Sequence, residues 1–294
     1  MKKSIHYKVF ELFNYLIMFF IVASALYPFL FVIAVSFSRE EFILAGLVNI
    51  IPRGLNVNAY KLVFEHPSFW QGYYNTIYYT VISVLVSLTM TTLCAYPLSK
   101  SYLPGRGFFI KMVMFTMFFG GGMIPNFLLV KSLGMYNSVW AITLPGAIGA
   151  WNVFIMMSFF QGIPEALEEA AEIDGLGRFG VLFRIVLPLS LPIIATMVLF
   201  FAVGQWNNWF GPLIYFSVNE KYPITLFLRN ILLSAQQLAT SNISADQMID
   251  RTKMAPSEAL KAAAIVLVSM PILILYPFAQ KYFVKGVLIG SLKQ

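Results

Sequence analysis

Six stretches of the chain contain no Asp, Glu, Lys or Arg: residues 12–38, 67–99, 112–130, 132–164, 185–219 and 262–280. A helix that crosses the roughly 30 Å hydrocarbon core of a bilayer needs about 20 predominantly apolar residues, so each stretch has room for one crossing. Outer-membrane β-strands would instead show runs of about ten residues in which apolar and polar side chains alternate. Segments such as 191–204 (LPIIATMVLFFAVG) and 262–276 are almost continuously apolar. The pattern predicts an all-α integral membrane fold with six transmembrane helices, at about 10–37, 75–99, 111–130, 138–160, 188–216 and 259–280. No linker marks off a second folded unit, and residues 1–294 read as one transmembrane domain.

Composition agrees and excludes other classes. Only 11% of residues are charged and 59% are hydrophobic, whereas a soluble domain carries about 25% charged residues. Cys94 is the only cysteine and His6 and His66 are the only histidines. That leaves no internal disulfide, no cysteine or histidine metal centre, and no base for a Ser–His–Asp triad. The net charge of +7 suggests nucleic acid at first sight, but the cations stand singly or in twos and threes between apolar spans, which is how membrane proteins set their topology. With the N-terminus inside, 11 of the 20 cations face the cytoplasm: Lys2, Lys3, Lys8, Lys100, Arg106, Lys111, Arg178, Arg184, Lys281, Lys285 and Lys293. The other nine fall mostly in two long outer loops, where charge has less influence on orientation. The expected topology is N-inside and C-inside. Ala23-Ser24-Ala25 resembles a signal cleavage site, but the apolar run continues to Phe37 and makes a full span.

The least ordinary loop begins at Gln161 and reads QGIPEALEEAAEIDGLGRFGVLFRIVLPLSLP. Pro164 suits a first helical turn, acidic residues follow it, and Asp174-Gly175 and Gly177 are stop signals, so a short helix is expected at 164–174. On it Glu165, Glu168, Glu169 and Glu172 fall at i, i+3, i+4 and i+7 and form one acidic face; Ala166, Leu167, Ala170, Ala171 and Ile173 fall on the other side. Two readings follow from the residues. The helix lies along the membrane as a connector with a solvated acidic face, or it presents its alanines to a groove in a partner.

The extended pattern adds to this. Glu169-Ala170-Ala171, Asp174-Gly175, Ile185, Leu187-Pro188 and Pro192 resemble the EAA–G–I–LP signature of permease subunits of ATP-binding-cassette importers. Asn75 at the start of span two, Trp206-Asn207 in span five and the ending from Gln280 through Gly286 and Gly290 to Lys293 resemble the carbohydrate-uptake permeases of the maltose-system type. Gly120-Gly121-Gly122-Met-Ile-Pro125 and Lys131-Ser-Leu-Gly134 resemble the LplC/YtcP-like subgroup. The resemblance implies a non-catalytic translocation subunit in the cytoplasmic membrane of a prokaryote, taking up oligosaccharides, uronate-containing ones among them. Its implied partners are a homologous companion permease, an ATPase dimer, an extracellular solute-binding protein, the oligosaccharide and membrane lipids, with no nucleic acid. The ATPase would dock on the 164–174 coupling helix, with Glu169, Ala170, Ala171, Asp174, Gly175, Leu187 and Pro188 as the coupling residues.

For a chain that resembles such permeases, the residues constrain where the energy for uptake comes from. The chain has no G-x-x-x-x-G-K-[ST] loop, since Gly120-Gly121-Gly122 leads into Met123-Ile124-Pro125, so ATP and Mg2+ belong to partner subunits and no cofactor is bound directly. Asn207 and Asn208, flanked by Trp206 and Trp209, are amides in an apolar span. They line the sugar route, or they serve interhelical hydrogen bonding and an aromatic anchor at the outer interface. Asn126 beside Pro125 is a weaker pathway candidate. The polar segment 217–258 either touches a binding protein or is simply solvated. An ion-coupled carrier would place ionisable groups inside its spans, and an intramembrane enzyme would need acids, a metal motif or an activated nucleophile at membrane depth; the six stretches supply neither. A docking protein whose helix binds something other than an ATPase is the remaining alternative.

Overall fold

The computed structural model describes residues 5–240 and 257–291, with side chains described for 6–234 and 257–275. Every element among the described residues is helical. In chain order they are α1 (Ile5–Ser36), α2 (Glu40–Leu44), α3 (Asn58–Glu65), α4 (Pro67–Ser99), α5 (Arg106–Phe118), α6 (Met123–Ser132), α7 (Val139–Thr143) and α8 (Ala150–Gln161). Then come α9 (Glu165–Ile173), α10 (Arg178–Val181), α11 (Leu187–Leu189), α12 (Leu191–Trp206), α13 (Phe210–Tyr215), α14 (Ile224–Thr240) and α15 (Glu258–Ser291).

Three stretches, His6–Ser36, Pro67–Ser99 and Glu258–Leu275, are helices long and apolar enough to cross a membrane unbroken. The other three apolar stretches fold as bent pairs: α5 with α6 at 113°, Val139–Gly146 with α8 at 56°, and Arg178–Leu189 with α12 at 83°. Six crossings result if each bent pair counts as one. Gly120-Gly121-Gly122 followed by Pro125 within 111–130 permits either close helix packing or a broken helix, and the structure breaks it. Gly120, Gly121 and Gly122 carry no side chain to hold a helix, Gly122 adopts φ +83°, and the chain turns before Pro125 restarts it. The N–H groups of these three glycines donate to no partner among the described residues.

The third bend follows from proline chemistry. Pro188 cannot donate to the carbonyl four residues back and its ring crowds that turn. The helix widens just before it: Leu182–Val186 forms a π-turn in which the Leu187 N–H donates to Leu182 O, five residues back. Such an insertion relieves the clash within the first arm; the 83° bend itself falls after it, at Ser190. Pro192, in the first turn of α12, then restarts the helix beyond Ser190.

The contacts divide the chain into two compact units, residues 1–70 with 227–270, and 71–226 with 271–294. In the first, Ala34, Val35, Val48 and Ala262 form one apolar cluster and Ala59, Ala259 and Ala263 another. The Ser36 hydroxyl meets Tyr60 Oη at 2.7 Å, and the Phe37 and Tyr60 rings stack at 4.7 Å. The loop after α1 is tied back by Ser38, whose Oγ accepts from the Arg53 N–H at 3.0 Å and donates to Ala34 O. α1 itself is exposed along its apolar length before residue 34, as suits a helix facing lipid or another subunit.

In the second unit, Ala95, Tyr96 and Leu98 of α4, Val153, Met156 and Phe160 of α8, and Val181, Leu182 and Val186 form the main core. A polar clasp closes the other end of α4. Asn75 Nδ2 donates to Glu220 O at 2.7 Å and Tyr222 O at 3.0 Å, Tyr79 Oη to Lys221 O at 2.9 Å, and the Ile224 N–H to Thr76 Oγ1 at 2.8 Å. Gly72 sits against this turn; a Cβ there would come within 3.1 Å of Ile224 Cα. The segment expected as a polar loop over 217–258 is thus built differently at its start. Ile224, Leu226 and Phe227 are buried at the head of α14. Asp246, Asp250, Arg251 and Lys253 lie outside the described residues.

One cap in the first unit is testable. Glu40 accepts from the Glu258 N–H at 2.9 Å and the Ala259 N–H at 3.4 Å, satisfying two otherwise free donors at the start of α15 and placing a negative charge at its positive end. Glu40→Ala lowers stability by about 1 kcal/mol, read as a lower midpoint in thermal unfolding of the purified protein in detergent.

Candidate functional site

The site is built on α9. The chain enters it through Pro164, whose extended backbone lets its carbonyl accept from the Leu167 N–H at 3.2 Å. Glu165 and Glu168 occupy the first turn, where the helix dipole favours negative charge. The helix stops at Asp174 because Gly175 adopts φ +86°. This lets the Gly175 N–H reach Glu172 O and the Leu176 N–H reach Ala171 O, both at 3.0 Å. That pair of closing bonds requires a left-handed residue, which glycine supplies without strain.

Which face of α9 is buried departs from the sequence expectation. Glu168 and Ala171, one turn apart, are buried, and Ala171 joins the core between α4 and α8. Ala166, Glu169, Ala170 and Ile173 lie on the opposite side and are exposed, Ile173 to 85%. Glu165 and Glu172 flank this outward face on one side and Leu167 on the other. The single solvated acidic face of four glutamates is therefore corrected to three, and the fourth is turned inward.

The physical reason is Lys100. It is the first residue after α4, only 6% exposed, and its Nζ forms a short ion pair and hydrogen bond with Glu168 Oε1. Tyr96, one turn back on α4, donates from Oη to Glu168 Oε2 at 3.4 Å and lays its ring 4.9 Å from Lys100 Nζ. Buried charges persist only when paired and hydrogen-bonded, and here each supplies the other's partner. The loop between α4 and α5 is held in the same region: Arg106 Nε donates to Leu98 O at 2.8 Å, and the Arg178 guanidinium lies 5.2 Å from the Tyr102 ring. Burial pushes the Tyr102 phenol above its ordinary range against the opposing pull of Arg178. A pocket of about 400 Å3 lies beside the pair, with Leu93, Pro97, Leu103, Phe179 and Leu182 in its wall.

The remaining sequence candidates fall as follows. Glu169, Ala170, Asp174 and Gly175 are exposed on or just after α9, while Ala171 is buried behind it. Leu187 is half-buried against the core under α9, and Pro188, exposed, lies in the short helix that ends at the break before α12. Asn207 and Asn208 are not inside a helix, since α12 ends at Trp206. Asn207 Nδ2 folds back to Val203 O at 3.0 Å, and Asn208 Oδ1 accepts from the Gly211 N–H at 3.1 Å to start α13. These amides satisfy free backbone groups at a helix break, the work for which asparagine is favoured. Trp206 is buried, edge-on to Tyr73 at 6.1 Å, whereas Trp209 is exposed. Asn126 is exposed in the first turn of α6, just after the glycine break. Among the described residues no group of three or more His, Cys, Asp or Glu could hold a metal ion.

Sequence reasoning missed Lys100, Glu168 and Tyr96 as a unit. In the sequence Lys100 is one of the cations that mark topology, and only its position directly after an apolar span points to a partner. The clasp around Asn75 was equally hidden, because its acceptors are backbone carbonyls 145 and 147 residues away.

The buried pair makes a direct prediction. Lys100→Met leaves Glu168 charged and unpaired and costs about 3–5 kcal/mol, while Lys100→Met combined with Glu168→Leu restores most of that loss. Unfolding of the purified variants in detergent, followed by circular dichroism, checks both halves.

Comparison with known proteins places this arrangement. Residues 7–289 match the family described as the binding-protein-dependent transport system inner membrane component. Protein LplC of Bacillus subtilis is 42% identical over 286 residues, covering 97% of this chain and 95% of that protein. The polygalacturonan/rhamnogalacturonan transport system permease protein YtcP of the same organism is 40% identical over 287 residues, covering 96% of each. Among solved structures, a chain of a bacterial ABC transporter involved in the import of the acidic polysaccharide alginate superposes with a TM-score of 0.84 at 31% identity, covering 96% of this chain and 99% of that one. The chain belongs to the family of binding-protein-dependent transport system inner membrane components, the permease subunits of ABC importers.

Proposed function

We propose that this chain is the permease subunit of an ATP-binding-cassette importer for oligosaccharides, uronate-containing ones in particular, and that α9 is the helix on which separate ATPase subunits dock. The observation that carries the reading is the outward face of α9. Ala166, Ala170 and Ile173 form an apolar ridge beside Glu169, on a helix whose opposite side is anchored by Glu168 and Ala171. A rigidly backed helix with a small-residue ridge suits insertion into a cleft of a partner.

In this reading the N- and C-termini and α9 face the cytoplasm, and the turn around residues 217–224 faces outward. The subunit hydrolyses nothing itself. Closure of the ATPase dimer moves α9 and shifts the permease between inward-open and outward-open populations, which requires only that ATP-bound partners contact the two states differently. A homologous companion permease completes the pathway, and a solute-binding protein delivers the sugar to the outer side. The uronate assignment is supported by two relatives: YtcP is a polygalacturonan/rhamnogalacturonan transport permease, and the superposed importer takes in the acidic polysaccharide alginate. Asn126, Asn207, Asn208 and Trp209 offer amides and an aromatic face to a passing sugar; Trp206, being buried, takes part through the packing of the break.

Two experiments test this. Mild-detergent purification of the tagged chain with its chromosomal neighbours is expected to retain an ATPase and a second permease, and the complex in vesicles, with its solute-binding protein outside, to take up oligogalacturonides only with ATP inside. A chain that purifies alone and transports without ATP would overturn the reading. Glu169→Lys and Gly175→Asp alter the docking surface and the turn that ends it. Each is expected to cut ATPase retention by about tenfold, equivalent to about 1.4 kcal/mol, with membrane insertion unchanged, as measured by quantitative pull-down.

A further inference from the structure

The two ends of α4 are both locked, and by different chemistry. At one end Lys100 is paired with Glu168 in the middle of α9, with Tyr96 bonded to the same carboxylate. At the other, Asn75, Thr76 and Tyr79 hold the backbone of residues 220–224 through four hydrogen bonds. From Asn75 to its end at Ser99, α4 runs 25 residues, about 38 Å at 1.5 Å per residue. Lys100 and Glu168 are both buried, and such a pair adds little net stability over apolar replacements of equal volume. What it does add is direction: a charge-assisted hydrogen bond holds two groups at one distance and angle, where an apolar contact can slide.

We propose that Lys100 and Glu168 form a strut between α9 and α4, and that α4 carries a displacement of α9 to the clasped outer turn at 217–224. Glu168 lies on the side of α9 opposite Ala166, Ala170 and Ile173, so a push on the outward face of α9 is delivered onto Lys100. Tyr96 keeps the carboxylate from rotating away, and Ser99 Oγ, donating to Tyr96 O at 2.6 Å, tightens the last turn of α4. The three side chains are positioning residues; none touches the transported sugar. This inference rests on α9 being the ATPase-docking helix.

The test reads motion at the far end and needs no knowledge of the sugar. In the complex with its ATPase, Cys94→Ala and Val218→Cys leave this chain one thiol, at the exposed position 218 of the outer turn, for an environment-sensitive maleimide dye, whose signal is read against the same complex with Cys94→Ala alone. Trapping with ATP and vanadate is expected to shift the dye emission. In the same background Lys100→Met with Glu168→Leu, which keeps the fold and leaves the outward face of α9 untouched, is expected to retain the ATPase and hydrolyse ATP while the dye response falls about tenfold, within the range for residues that carry coupling. A full response in that variant, or no response in the parent complex while ATP is hydrolysed, overturns the strut. If the paired variant does not assemble, Tyr96→Phe takes its place: a response reduced at least about twofold supports the strut and a full one overturns it. A parent complex that neither retains an ATPase nor hydrolyses ATP overturns the importer reading itself.

Discussion

A lysine and a glutamate removed from water decide how α9 is held. Without Lys100, nothing would turn Glu168 inward, and α9 would expose four carboxylates on one side as its periodicity alone suggests. With it, α9 is pinned by its acidic side and presents its small residues outward. The core under the helix follows from the same constraint, because Ala171 can meet Tyr96 and Phe160 only when Glu168 faces α4. The left-handed turn at Gly175 then returns the chain along the core toward the bend at Ser190.

Much of this was legible in the residues. Charge-free runs located the apolar segments, and Asp174-Gly175 located the end of α9 because a glycine at a left-handed position is a local requirement. Two things were not legible. Breaks within apolar stretches depend on whether Gly120–Gly122, Pro188 or Asn207 and Asn208 end a helix or are absorbed into it, and hydropathy is blind to that choice. Pairings such as Lys100 with Glu168, or Asn75 with the carbonyls of Glu220 and Tyr222, join residues far apart in sequence, so no local pattern records them. Helical periodicity placed Glu168 among its acidic neighbours correctly on the wheel. It could not say which edge of that arc a buried cation would claim.

The two asparagines at 207 and 208 show how a chemically suggestive cluster can serve the backbone first. Their amides close one helix and open the next, which is local work. Polar residues at a break in an apolar stretch meet an obligation before they meet a ligand.

The glycine turn between α5 and α6 carries an obligation of its own. The N–H groups of Gly120, Gly121 and Gly122 find no acceptor among the described residues, and the three glycines are exposed. In hydrocarbon each unsatisfied peptide group costs several kcal/mol, so non-helical backbone at membrane depth survives only against protein or water. Wherever this turn lies at membrane depth, its flank is therefore not left to lipid, and an orphaned copy, inserted without neighbours, would there bear open backbone where the membrane offers no hydrogen bonds.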